Sequence, residues 1–183
     1  MRITIESSPQ TISALTLGIE KQMRLAGFAR TSEHVGKSAI WPSSGIAAGR
    51  KPREPTASYQ LDHEIETNII VSWDDAGGLC AVGNALLSVS ESMGTATFEA
   101  RSNAISAIKT RLDKTFQAKG FQKKHLNEMA PETGAYYLLD DRKAHTLTVE
   151  WDDGDGLAVL GEAISTLTSV EHLDAPDQPN GPA

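Results

Sequence analysis

The sequence predicts an α+β protein formed by internal duplication of a β-α-β-β-α unit. The expected architecture is a six-stranded antiparallel or mixed sheet with helices packed on one face and a pseudo-twofold axis between the copies. Three observations lead there. Residues 57–89 align with 135–167 at an offset of 78 without a gap, and twelve of the 33 pairs are identical. Residues 3–28 align with 96–121 at an offset of 93, sharing Ile-Ser-Ala from Ile12 and Ile105 and Gly-Phe from Gly27 and Gly120. Hydrophobic spacing also switches between strand and helix period in the same order in both halves.

Ile3 and Ile5, matched by Ala96 and Phe98, alternate with polar residues and read as a short strand. Ile12, Leu15, Ile19 and Met23 recur as Ile105, Ile108, Leu112 and Phe116, the spacing of one helical face. Gly27 and Gly120 stand where such a helix needs a left-handed terminator. Ala57, Tyr59 and Leu61, then Ile69, Val71 and Trp73, read as an antiparallel hairpin. Its mirror is Ala135, Tyr137 and Leu139, then Leu147, Val149 and Trp151. Leu79, Val82, Leu86 and Val89, with Leu157, Leu160, Ile164 and Leu167, define a second amphipathic helix.

One repeat therefore spans 1–92 and the other 93–170. The two offsets differ by 15, so the first repeat carries an insertion within about residues 29–56. Residues 171–183 read as a disordered acidic tail. A unit of about 80 residues is marginal alone, so the repeats are expected to share one compact body.

Lys and Arg number 17 against 24 Asp and Glu, a net charge of −7. That balance argues against nucleic acid and anionic membrane as default partners, since affinity for phosphate needs clustered cations. No run of about 18 apolar residues is present and the first ten lack the apolar core of a secretory signal, so a cytoplasmic location is expected. The single cysteine, Cys80, reads as buried filler on a helix and leaves no internal disulfide.

Trp-Asp-Asp followed by glycine occurs in both halves, placing Asp74, Asp75, Asp152, Asp153 and Asp155 between a strand and a helix. An aspartate there is expected to accept from the free N–H groups of the first helical turn, with glycine easing the turn. A divalent cation held by Asp152, Asp153 and Asp155 is the lesser alternative, because the segment lacks the spacing and terminal glutamate of a calcium loop. The five histidines show no zinc spacing, and neither a nucleophile elbow nor a phosphate-binding glycine motif occurs. No catalytic residue and no cofactor is assigned.

The halves differ in two places. The insertion holds Trp41, which has no counterpart, and the basic group Arg50, Lys51 and Arg53. On the outer face of the second hairpin stand Tyr136 and Leu138, where the first has Ser58 and Gln60. An apolar outer face implies a cover, supplied by a partner, a second subunit or the long loop. The expected function is that of a small, soluble, non-enzymatic binding factor of the adaptor, inhibitor, immunity or chaperone-like kind. It would engage another protein, or itself, through Trp41, Arg50, Lys51, Arg53, Tyr136 and Leu138. The alternative is a ligand-binding protein or hydrolytic enzyme with a pocket, and a divalent cation, at the seam between the repeats.

Overall fold

Ser8 and Pro9 set the first helix, and the rest of its course follows from one apolar stripe. Strand β1 (Arg2–Glu6) runs into α1 (Pro9–Leu25), where the Ser8 hydroxyl accepts from the Thr11 amide and proline occupies the first turn. Ile12, Leu15, Ile19 and Met23 are all buried. Gly27, at φ +85°, ends the helix: the Phe28 amide reaches the Met23 carbonyl at 3.0 Å and the Gly27 amide reaches Arg24 at 3.1 Å. The same pattern closes α3 (Ser102–Ala118). There Gly120 has φ +87°, Phe121 donates to Phe116 at 3.1 Å, and Gly120 donates to Gln117 at 3.0 Å. The computed structural model describes residues 1–31, 57–63, 65–74, 77–89, 93–131, 133–152 and 155–167.

The remaining elements are β2 (Ala29–Arg30), β3 (Ser58–Asp62), β4 (Asn68–Trp73), α2 (Gly77–Leu86), β5 (Met93–Glu99), β6 (Gln122–Lys124), β7 (Tyr136–Lys143), β8 (Thr146–Asp152) and α4 (Gly156–Ser165). All strands join one mixed sheet in the order β2-β3-β4-β1-β5-β8-β7-β6. Among the described residues the sheet therefore has eight strands rather than the six expected. The additional strands, β2 and β6, are two and three residues long and pair parallel to β3 and β7. Each picks up its partner straight after a helix terminator, and such short polar pieces have no alternation to read.

At the middle, β1 and β5 run antiparallel with Thr4 opposite Thr97. On the inner face Ile3, Ile5, Ile69, Val71, Ala96, Phe98, Leu147 and Val149 join the buried faces of all four helices in a single core. Ile70 and Leu138 are also buried, at 7% and 5% exposure, but lie outside that core on the opposite face. The helices thus cover one face, as the alternation in the strands requires. Ile70 is a correction: the outer face is not apolar in the second half alone.

The second helix of each half ends sooner than its periodicity indicates. Val89 and Leu167 sit past α2 and α4, in turns donating to Leu86 and Ile164, although both still pack against the core. α2 and α4 cross where Gly83 meets Gly161. A Cβ at Gly161 would stand 2.8 Å from the Gly83 carbonyl oxygen, so bare backbone on both helices permits the approach.

One polar cluster is built into the second half. The fully buried ring of Tyr137 stacks on Phe116 with centroids 4.8 Å apart, and its hydroxyl donates to Asp113 Oδ1 at 2.6 Å. Lys123 Nζ lies 2.7 Å from the same oxygen. Burial alone pushes the Asp113 carboxyl up, but the hydrogen bonds from Lys123 and Tyr137 outweigh it and hold the pKa below the usual carboxylate range. A depressed folded-state pKa contributes stability above the unfolded value, about 3.9, that is lost as pH falls through the folded value. The melting temperature of Asp113→Asn is therefore expected to lie below that of the wild type at neutral pH and to converge with it below about pH 4. A gap that persists unchanged into acid would contradict this account.

Candidate interaction grooves on the open sheet face

None of the four helices among the described residues covers the outer face, whose residues follow from the register. One row crosses Lys124, Leu138, Glu150, Thr95, Glu6 and Asn68 on β6, β7, β8, β5, β1 and β4. The next row toward one end of the sheet holds Gln122, Tyr136, Asp152 and Met93. At this end the two rows frame an open groove of about 440 Å³, walled by Glu6, Ser7, Thr95, Tyr136, Glu150 and Asp152 with Met93, Gly94 and Trp151. A second groove, of about 380 Å³, lies at the other end and is walled by Arg2, Ser58, Ser72, Trp73, Asp74 and Glu99 with Met1 and Tyr59.

The two grooves are made from aligned positions and differ in charge. In the first-half groove, Asp74 accepts from the Ser58 amide at 2.7 Å and its hydroxyl at 2.6 Å, which hold its pKa below the usual range. Arg2 stands 4.0 Å from Glu99. In the second-half groove the residue aligned with Ser58 is Tyr136, with Arg2 is Thr95, and with Ser72 is Glu150. Asp152 thus loses its hydroxyl donor, Glu6 loses its cation, and one more acid is added. None of Glu6, Glu150 and Asp152 joins an ion pair among the described residues. Lys124 Nζ lies 5.3 Å from the Tyr136 ring centroid. Met93 is 61% exposed at the rim.

The floor at each end is a tryptophan pressed by a glycine. Trp73 and Trp151 are buried, and a Cβ on Gly78 or Gly156 would fall 2.2 or 2.1 Å from the Cδ1 of the respective ring. The repeated Trp-Asp-Asp-Gly segments thus share this tryptophan–glycine contact. Asp155 sits at the N-cap position of α4 without a side-chain bond to the helix, and Asp74 ties β4 to β3 through Ser58. Asp75 and Asp153 lie outside the described residues.

Of the residues singled out by sequence, the structure brings Tyr136, Leu138 and Asp152 together. Tyr136 and Asp152 are register partners, with Tyr136 half-buried, while Leu138 is only 5% exposed. Trp41, Arg50, Lys51 and Arg53 lie outside the described residues. Among the described residues no group of three His, Cys, Asp or Glu is placed to hold a metal ion. Cys80 is half-buried rather than fully enclosed, donating to the Ser165 carbonyl at 3.4 Å.

A larger trough, about 640 Å³, lies on the other side of the molecule between α1 and the β3–β4 turn, lined by Ile12, Thr16, Leu17, His63, Ile65 and Glu66. Leu17 and Ile65 are 69% and 62% exposed. In the second half the positions aligned with Thr16 and His63 are Lys109 and Asp141, which form an ion pair. The trough is more apolar than the grooves but has a single charged wall residue, Glu66, to orient a ligand.

No helix among the described residues is long and apolar enough to cross a membrane. No protein-family model matches the chain, and no curated protein matches it in sequence.

Proposed function

We propose that the chain is a small, cytoplasmic, non-enzymatic protein-binding factor, formed by internal duplication, that holds its partner on the open sheet face beside Tyr136. The duplication is supported by the aligned segments, by the matching order of elements in the two halves and by the paired Trp73–Gly78 and Trp151–Gly156 contacts. The observation that carries the binding site is the contrast between the grooves: the first sets a cation, Arg2, against Glu99 and ties Asp74 to Ser58, whereas the second leaves three acids without an ion pair among the described residues, beside an exposed methionine. An exposed mix of aromatic, methionine and unpaired charge is the composition of a contact surface rather than of a solvated sheet.

The test is affinity capture with the full chain as bait, comparing wild type with the pair Tyr136→Ser and Met93→Ser. Both positions are on the outer face, so the fold should survive, as checked by circular dichroism. Loss of the captured partner by the pair is expected. Retention of every partner would place the contact elsewhere.

A second reading uses the same groove. It crosses the seam between 1–92 and 93–170, with Glu6 and Ser7 from one half and Met93, Glu150 and Asp152 from the other. This placement favours a ligand-binding or hydrolytic pocket as the alternative, and substrate turnover abolished by Asp152→Asn would replace the first reading with it.

A further inference from the structure

Among the described residues, three buried side-chain polar atoms have no hydrogen-bond partner: Arg2 Nε, Ser7 Oγ and Trp151 Nε1. All three belong to groove walls, the first to the groove at Asp74 and the other two to the groove at Asp152. An unmet buried donor is costly to leave without a partner, so such atoms mark places where a partner group is missing. Trp151 is 2% exposed. Gly94 lines the same groove and lies against the indole edge, since a Cβ there would be 2.6 Å from Cζ2 and 3.1 Å from Cε2.

The ligand for this groove must therefore bring two things. Glu6, Glu150 and Asp152 call for positive charge, and Trp151 Nε1–H and Ser7 Oγ call for a hydrogen-bond acceptor. A metal ion or a polyamine supplies the first without the second. A nucleic acid supplies acceptors with the wrong charge. A polypeptide segment rich in Lys or Arg supplies both, with main-chain carbonyls as acceptors and its side chains as cations, and its aliphatic stems suit Met93 and Tyr136.

We infer that the groove of Glu6, Glu150, Asp152 and Trp151 binds a basic, extended segment of a partner protein. This deepens the proposed protein-binding role and rests on it. Because the acids are at the rim, attraction to the segment should weaken strongly with salt.

The experiment is fluorescence anisotropy with the full chain and a fluorescein-labelled peptide of alternating Lys and Ala, alongside its Glu-for-Lys control. Wild type should bind the basic peptide and not the control. Affinity should fall by about tenfold or more in the triple variant Glu6→Gln, Glu150→Gln, Asp152→Asn, and by a similar factor between about 50 and 500 mM NaCl. A second variant, Thr95→Arg, gives the groove the cation found at the aligned first-half position and should weaken binding without removing any contact. Melting temperatures close to wild type exclude loss of fold as the cause.

Failure of wild type to bind, equal binding of the acidic control, or unchanged affinity in both variants would overturn the inference. So would self-association that survives saturation with peptide, since a second copy would then be the occupant. If Tyr136→Ser with Met93→Ser releases a captured partner while the charge variants do not, the binding face stands and its basic-segment specificity falls.

Discussion

Gly161→Ala is expected to lower the stability of the fold by about 3 kcal/mol, measured as a fall in the urea midpoint at unchanged slope. The added Cβ would stand 2.8 Å from the Gly83 carbonyl oxygen, 2.9 Å from Leu86 Cβ and 2.9 Å from the Leu87 amide nitrogen. Two of the three are backbone atoms of a packed helix, so relief requires α2 and α4 to separate. Separation would open the middle of the helical layer above Val82, Leu86, Leu160 and Ile164, all fully buried. Alanine favours a helix over glycine by about 1 kcal/mol, which offsets only part of that loss. Gly18→Ala supplies the control. Its Cβ would meet Ala85 at 3.6 Å, an ordinary contact, so this change should be neutral or stabilising by up to about 1 kcal/mol. Equal effects at the two glycines would refute the crossing as the source.

Gly156→Ala should be of similar size, about 2–3 kcal/mol, and should register in the tryptophan signal as well as in stability. Its Cβ would fall 2.1 Å from Trp151 Cδ1 and 2.4 Å from Cγ. The ring cannot retreat freely, because its other edge already lies against Gly94. Near-ultraviolet circular dichroism should change with the loss of the fixed indole, and Gly78→Ala should do the same through Trp73. An unaltered spectrum with wild-type stability would mean that the tryptophans are not wedged by these glycines.

Reading each half against the other made the main elements legible. Ile12, Leu15, Ile19 and Met23 on one helix and their aligned partners on another gave the same face twice, and the two terminators, Gly27 and Gly120, carry the expected left-handed φ. β2 and β6 were invisible because Ala29–Arg30 and Gln122–Lys124 have neither length nor alternation. The tryptophan–glycine contact in the Asp-Asp-Gly segments was not legible from the aspartates. The available signal was the glycine that persists at the same distance from tryptophan, Gly78 and Gly156, whereas Gly77 aligns with Asp155.

The site was half visible. Substitution of Ser58 by Tyr136 between the aligned hairpins stands out in the sequence, but Arg2 against Thr95 and Ser72 against Glu150 come from other strands. Only the register places all three changes around one groove. Leu138 lies on the same outer face but is buried, so its own side chain adds little exposed apolar surface to the groove.

The position of β1 has a consequence for how the chain can go wrong. A polypeptide that has emerged only as far as α2 can pair β1 with β4, but its opposite edge, flanked by Ile3 and Ile5, stays bare until β5 arrives. Another nascent molecule carries a β5 equally able to fill it. Crowded synthesis thus sets intramolecular closure against domain swapping, and the short interval from Leu86 to Met93 favours the intramolecular partner by keeping it close at hand.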